Sequence, residues 1–107
     1  MNNDIEGFGV YTWDNGRKYE GTWKGNKMHG KGAFTWTDGR SYVGEYNLDK
    51  KHGYGVFTWP NKTKYDGLWK DGKQHGKGML TKVDGSEIEG IWETGKMIQS
   101  INSTSLQ

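Results

Sequence analysis

The chain returns to the same residues every 23 positions, and this step restricts its fold more than any other feature. Gly7-x-Gly9 recurs as Gly30-x-Gly32, Gly53-x-Gly55 and Gly76-x-Gly78. Gly21, Gly44, Gly67 and Gly90 keep the step, as do Trp23, Tyr46, Trp69 and Trp92, and Tyr19, Tyr42 and Tyr65 with Ile88 in fourth place. Tyr11, Phe34, Phe57 and Leu80 form a further register, and Trp13, Trp36 and Trp59 another, which Lys82 breaks. His29, His52 and His75 also fall in step. A unit this short is one supersecondary element that cannot bury its apolar face alone, so neighbouring units must complete one another.

Within a unit the residues alternate, which argues strand and not helix. Gly9, Tyr11 and Trp13 share one parity, and Tyr19, Gly21 and Trp23 share it beyond a turn. The turns Asp14-Asn15-Gly16, Thr37-Asp38-Gly39, Pro60-Asn61-Lys62 and Val83-Asp84-Gly85 suit a type I turn closed by a left-handed residue. Lys62 stands where the others have glycine and is expected to carry a backbone cost. A three-residue loop sets Trp13 opposite Arg17, Tyr11 opposite Tyr19 and Gly9 opposite Gly21. The facing glycines then leave gaps in which rings lie flat on the backbone, and the opposite parity (Thr12, Lys18, Glu20, Thr22) is mostly polar. Strands are expected at 8–13, 17–23, 31–36, 40–46, 54–59, 63–69, 77–82 and 86–92, with short loops such as Lys24 to His29 between hairpins. The organisation that follows is a lead-in over 1–6, an array over 7–95 (units 7–29, 30–52, 53–75 and 76–95) and a polar tail over 96–107.

Composition agrees with an open architecture. Only 31% of the 107 residues are hydrophobic, and 18 glycines stand against three Phe. A chain of this size buries a modest share of its surface, and six Trp and six Tyr, which tolerate partial exposure, carry most of the apolar content. The expected fold is all-β: a single-layer antiparallel sheet of tandem β-hairpins with no closed core. Zero cysteines exclude disulfides and thiolate metal sites. Met1-Asn2-Asn3-Asp4 shows no secretory signal, and no stretch has the length of a membrane span. The sequons at Asn61 and Asn102 are read as compositional, and a cytoplasmic location is expected. A net charge of +2 carries no nucleic-acid arm.

The unit Gly-x-Gly-x-Tyr-x-Trp-x-Asn-Gly-x-x-Tyr-x-Gly-x-Trp, from Gly7 to Trp23, resembles the MORN (membrane occupation and recognition nexus) repeat. Gly30 to Tyr46 and Gly53 to Trp69 match it too, apart from Lys62, while Gly76 to Trp92 departs at Leu80, Lys82 and Ile88. The resemblance covers roughly residues 5–95. It implies a twisted single-layer sheet with an aromatic-lined groove. It also implies roles as scaffold, dimerisation element or phospholipid binder in ciliary, cytoskeletal, junctional and lipid-kinase proteins. Fold alone does not choose among these.

The residues do not point to catalysis. Gly7-x-Gly9 lacks the helix and third glycine of a dinucleotide loop. Equivalent histidines sit two strands apart, about 9–10 Å, whereas metal ligands all lie about 2 Å from the ion. No serine pairs with a base and orienting acid, and Glu20, Glu45, Asp66 and Glu89 stand singly on the polar face. No enzyme, cofactor or metal site is expected. The aromatic face is different, because a one-layer sheet has nothing to cover it and exposed apolar surface marks interaction sites. Tyr11, Trp13, Tyr19, Trp23, Phe34, Trp36, Tyr42, Tyr46, Phe57, Trp59, Tyr65, Trp69 and Trp92 are the expected contacts. Their partner is an extended segment or amphipathic helix of another protein, or a second copy, in a cytoskeletal or ciliary assembly that the resemblance alone suggests. The open edge at Ser86–Trp92 offers end-to-end pairing, guarded by two acids. The alternative is a weak, salt-sensitive contact with acidic phospholipids through Lys24, Lys27, Lys31, Lys50, Lys51, Lys70, Lys73 and Lys77. A regulatory module of a larger enzyme is a third possibility.

Overall fold

The computed structural model describes residues 6–104, with side chains through Ile101. Its nine strands are β1 (Gly7–Thr12), β2 (Lys18–Lys24), β3 (Lys27–Thr35), β4 (Ser41–Asn47), β5 (Lys50–Thr58), β6 (Lys64–Lys70), β7 (Lys73–Thr81), β8 (Glu87–Glu93) and β9 (Lys96–Thr104). They lie in chain order in one open antiparallel sheet. This is the all-β array that the alternation predicts. Residues 1–5 of the expected lead-in lie outside the described residues, and Glu6 accepts a hydrogen bond from the Gly25 amide.

Two kinds of turn alternate along the sheet. The three-residue turns are as read from the sequence: Trp13 N–H donates to the Arg17 carbonyl at 2.8 Å, and Tyr11 faces Tyr19 and Gly9 faces Gly21. The side chain of Asn15, Asp38, Asn61 or Asp84 accepts from the amide two residues on, which explains an Asx residue at this place in every unit. Lys62 does take the left-handed conformation, with φ at 75°. The expected six-residue loops between hairpins do not form. They are replaced by two-residue turns, Gly25–Asn26, Leu48–Asp49, Asp71–Gly72 and Thr94–Gly95, with positive φ at both positions, the type I′ geometry whose twist matches the flanking strands. The strands therefore extend to meet at Lys24↔Lys27 and Lys70↔Lys73, and His29, His52 and His75 lie in strands, not loops.

A bulge in each inter-unit pairing lets the aromatic side close on itself. Registers shift between Gly21 and Trp23, Gly44 and Tyr46, and Gly67 and Trp69. The carbonyl inside each bulge accepts a phenol proton from the tyrosine three residues back: Tyr19 to Thr22, Tyr42 to Glu45 and Tyr65 to Leu68, at 2.8–2.9 Å. Each phenol ring lies over a glycine of the next strand, Gly32, Gly55 or Gly78, where a Cβ would collide with it. A polar atom that would otherwise be orphaned is satisfied and the ring is fixed in one step.

The sequence reading made 96–107 a polar tail beyond the array, and the structure extends the sheet into it. Lys96–Thr104 forms β9 against β8, so Ser86–Trp92 is not the sheet's edge. Lys96 and Met97 stand one further 23-residue step beyond Lys73 and Gln74, so β9 takes the place of the first strand of a fifth unit. Residues 105–107 lie outside the described residues. The molecule measures 59 × 24 × 17 Å with a radius of gyration of 15.3 Å, against about 13 Å for a compact chain of this length.

Candidate interaction surface

The aromatic side carries the core. Tyr19, Tyr42 and Tyr65 have no exposed surface, and Trp23, Phe34, Tyr46, Phe57, Trp69 and Trp92 are also buried. These nine residues, expected from the sequence to meet a partner, meet one another. Tyr42 packs edge-on against Tyr46 at 5.2 Å and Trp69 at 5.4 Å, and Tyr65 against Trp92 at 4.9 Å. The indoles of Trp23 and Trp69 donate to the carbonyls of Gly9 and Gly55, each at 3.1 Å. Close approach to glycine backbone and the bulges make a lid unnecessary. Of the expected contacts, only the half-buried Trp13, Trp36 and Trp59 and the exposed Tyr11 keep accessible surface. Arg17 and Arg40 lie over Trp13 and Trp36 at 5.3 and 5.1 Å.

Lys51, expected among the lipid contacts, turns into this layer. Its Nζ stands 5.5–5.6 Å from the ring centres of Trp36, Tyr42, Phe57 and Trp69. Burial, with Arg40 nearby, pushes its pKa below the ordinary lysine value. Met28 and Met97 hold the equivalent place beside Trp23 and Trp92. Lys31 and Lys77 project from the opposite face. Lys24, Lys27, Lys50, Lys70 and Lys73 do share one margin of the sheet, exposed beside the type I′ turns. There Asp49 N–H donates to the Met28 carbonyl and Gly72 N–H to that of Lys51, linking successive turns.

The face away from the rings, expected to be mostly polar, is the one that carries exposed apolar residues and that no element among the described residues covers. Val10, Ala33, Val43, Val56 and Met79 fall in one cross-strand row, broken by Glu20, Asp66 and Glu89. Phe8 (69% exposed), Val43 (59%) and Tyr54 (50%) stand beside a shallow hollow of about 600 Å³ floored by the backbone of Gly21, Gly32 and Gly44. A second hollow of about 360 Å³ shares Tyr54 and adds Leu68 and Met79. The Tyr54 hydroxyl donates to Asp66, and Lys77 pairs with Glu89 at 3.3 Å. Sequence reasoning missed this strip. Its signal was the residue after each second glycine (Val10, Ala33, Val56 and Met79), overlooked because Lys18, Glu20 and Thr22 in the first unit read as polar.

Among the described residues no group of three or more His, Cys, Asp or Glu converges on a metal position, and no helix is long and apolar enough to cross a membrane. An open sheet of tandem hairpins, cored on one side and apolar on the other, defines an all-β tandem-repeat protein. The chain belongs to the MORN repeat family, whose repeat matches residues 1–16, 19–39, 42–64 and 65–87. The family is generally non-enzymatic, and its repeats are consistent with a protein-interaction or membrane-associated module. No curated protein matches the chain.

Proposed function

We propose that this chain is a non-enzymatic protein-interaction module that docks a partner on the face turned away from its aromatic core. The carrying observation is the row through Ala33, Val43 and Val56 beside the exposed Phe8 and Tyr54, an apolar strip that no element among the described residues covers. A cytoplasmic setting belongs to the same proposal, and a cytoskeletal or ciliary attachment comes to it from the family resemblance alone. A photo-crosslinking residue at position 43 tests it: it is expected to capture a defined segment of one protein, and the same residue at position 62, on a turn, is expected to capture none. Capture from both positions alike, or from neither, overturns the reading.

A second reading is favoured by one observation. Lys24 faces Lys27 and Lys70 faces Lys73 across neighbouring strands, an arrangement that costs stability unless an anion relieves it. On this reading the turn margin touches acidic phospholipid headgroups, with Asp49 and Asp71 keeping the contact weak. Vesicles rich in phosphatidylserine are expected to bind at low salt and release at high salt. Lys24→Glu/Lys70→Glu is expected to abolish binding, and Lys51→Met to leave it unchanged. No binding at low salt overturns it.

A further inference from the structure

We infer that the occupant of the uncovered face is an amphipathic helix with basic residues about seven positions apart, an inference that rests on the docking reading above. The first argument is charge. The two hollows are lined by four carboxylates, Glu20, Glu45, Asp66 and Glu89, and only two lysines, Lys31 and Lys77. Lys77 is already paired with Glu89. Glu20, met by the half-exposed Lys18 at 4.0 Å, and Asp66, which accepts the Tyr54 hydroxyl, interrupt the apolar row itself, so a partner's apolar stripe laid along it is matched there by cations.

The second argument is spacing. Glu20, Asp66 and Glu89 share the row on β2, β6 and β8, with Val43 at the row's place on β4 and Glu45 two residues along that strand, and every second strand is a step of about 10 Å across the sheet. Residues seven apart on one face of an α-helix are about 10.5 Å apart. Cations at that step or twice it meet Glu20, Asp66 and Glu89, while apolar residues three and four positions on fall over Ala33, Val56 and Met79 on the strands between. An extended strand does not match, because the same distance spans about three residues and turns alternate side chains away. The backbone of the interior strands is paired with its neighbours, so the floor offers little to a segment with unsatisfied amides. A helix satisfies its own.

The test is fluorescence anisotropy with three labelled synthetic peptides of about three heptads. One has Lys at every seventh position with Leu three and four residues on, the second has Glu for each Lys, and the third is the basic peptide with a central proline. The basic peptide is expected to bind in a salt-sensitive way, and its acidic twin and the proline form at least about tenfold more weakly. Glu20→Lys/Asp66→Lys, at exposed or half-buried sites and verified as folded by circular dichroism, is expected to invert the preference between basic and acidic peptides. Equal binding of the two peptides, no binding by either, or an unchanged preference in the double variant overturns the inference. If position 43 still captures a partner segment in those cases, the docking reading survives and only the helix and its charge fall.

Discussion

A methyl group added at position 55 would stand 2.5 Å from Cε1 and Cζ of Tyr42, a ring with no exposed surface and its hydroxyl tied to the Glu45 carbonyl. Neither partner can yield, so Gly55→Ala is expected to destabilise the chain by about 3 kcal/mol by overpacking. In a Tyr42→Leu background the same change is expected to cost far less, and urea melts of the four proteins give the coupling. Equal costs in both backgrounds would refute the ring-on-glycine pairing. In the last unit Ile88 replaces the tyrosine and the pairing with β9 differs: Gly90 faces Ser100, and Ile101, one period on from Gly78, is half exposed. The sequence revealed that rings lie on glycines but not which ring: the owner is the tyrosine on the preceding strand, set by a bulge that alternation does not encode. Lys62 was legible because its turn repeats. It holds φ at 75° where Gly16, Gly39 and Gly85 hold similar values, and Lys62→Gly is expected to stabilise by about 0.5–1 kcal/mol, read as a Tm a few degrees higher.

Elements are joined here by turns of two chemistries, and only one was readable. The three-residue turns announce themselves through Asx and Gly. The type I′ turns carry Gly-Asn, Leu-Asp, Asp-Gly and Thr-Gly in the four units, and only the first and third combine the residues that favour left-handed backbone. Leu48 and Thr94 hold φ at 47° and 51°, and threonine is β-branched. Thr94→Asn is expected to raise stability by about 1 kcal/mol with no change in the sheet's circular dichroism; a loss of stability would mean that the threonine side chain makes an interaction outweighing its backbone strain. The same disguise hid β9. Its Lys96-Met97 start fits the period, but Gln99 and Ile101 replace the glycines that marked every earlier unit. The second apolar face went unread because its residues are single valines among lysines, glutamates and threonines, and their alignment into one row appears only when strands pair in register.

At the scale of the whole molecule, most of the tyrosines form a continuous buried layer, and this predicts how the array responds to alkali. Burial raises the phenol pKa of Tyr19, Tyr42 and Tyr46 above the ordinary 10.0, and lifts that of Tyr65 to about 12. Hydrogen bonds from three of these phenols to bulge carbonyls use the proton that ionisation would remove. A group with its folded pKa above the unfolded value stabilises the fold fully below the unfolded value and loses that contribution as pH rises through the folded one. Stability is therefore expected to fall from about pH 10 upward, with the Tyr65 share gone beyond about pH 12. Lys51 works the other way, since its lowered pKa means that the cost of a buried ammonium is relieved over the alkaline range, but it is one group against four. The four phenols lie on β2, β4 and β6, consecutive units that share the layer through Tyr19–Tyr46 and Tyr42–Trp69 contacts, so ionising one exposes the next. Tyrosinate absorbance is expected to rise together with loss of the sheet signal in circular dichroism, in one transition. Ionisation of these phenols with the sheet intact would show that the layer is open to water, and would return the aromatic side to consideration as the docking face.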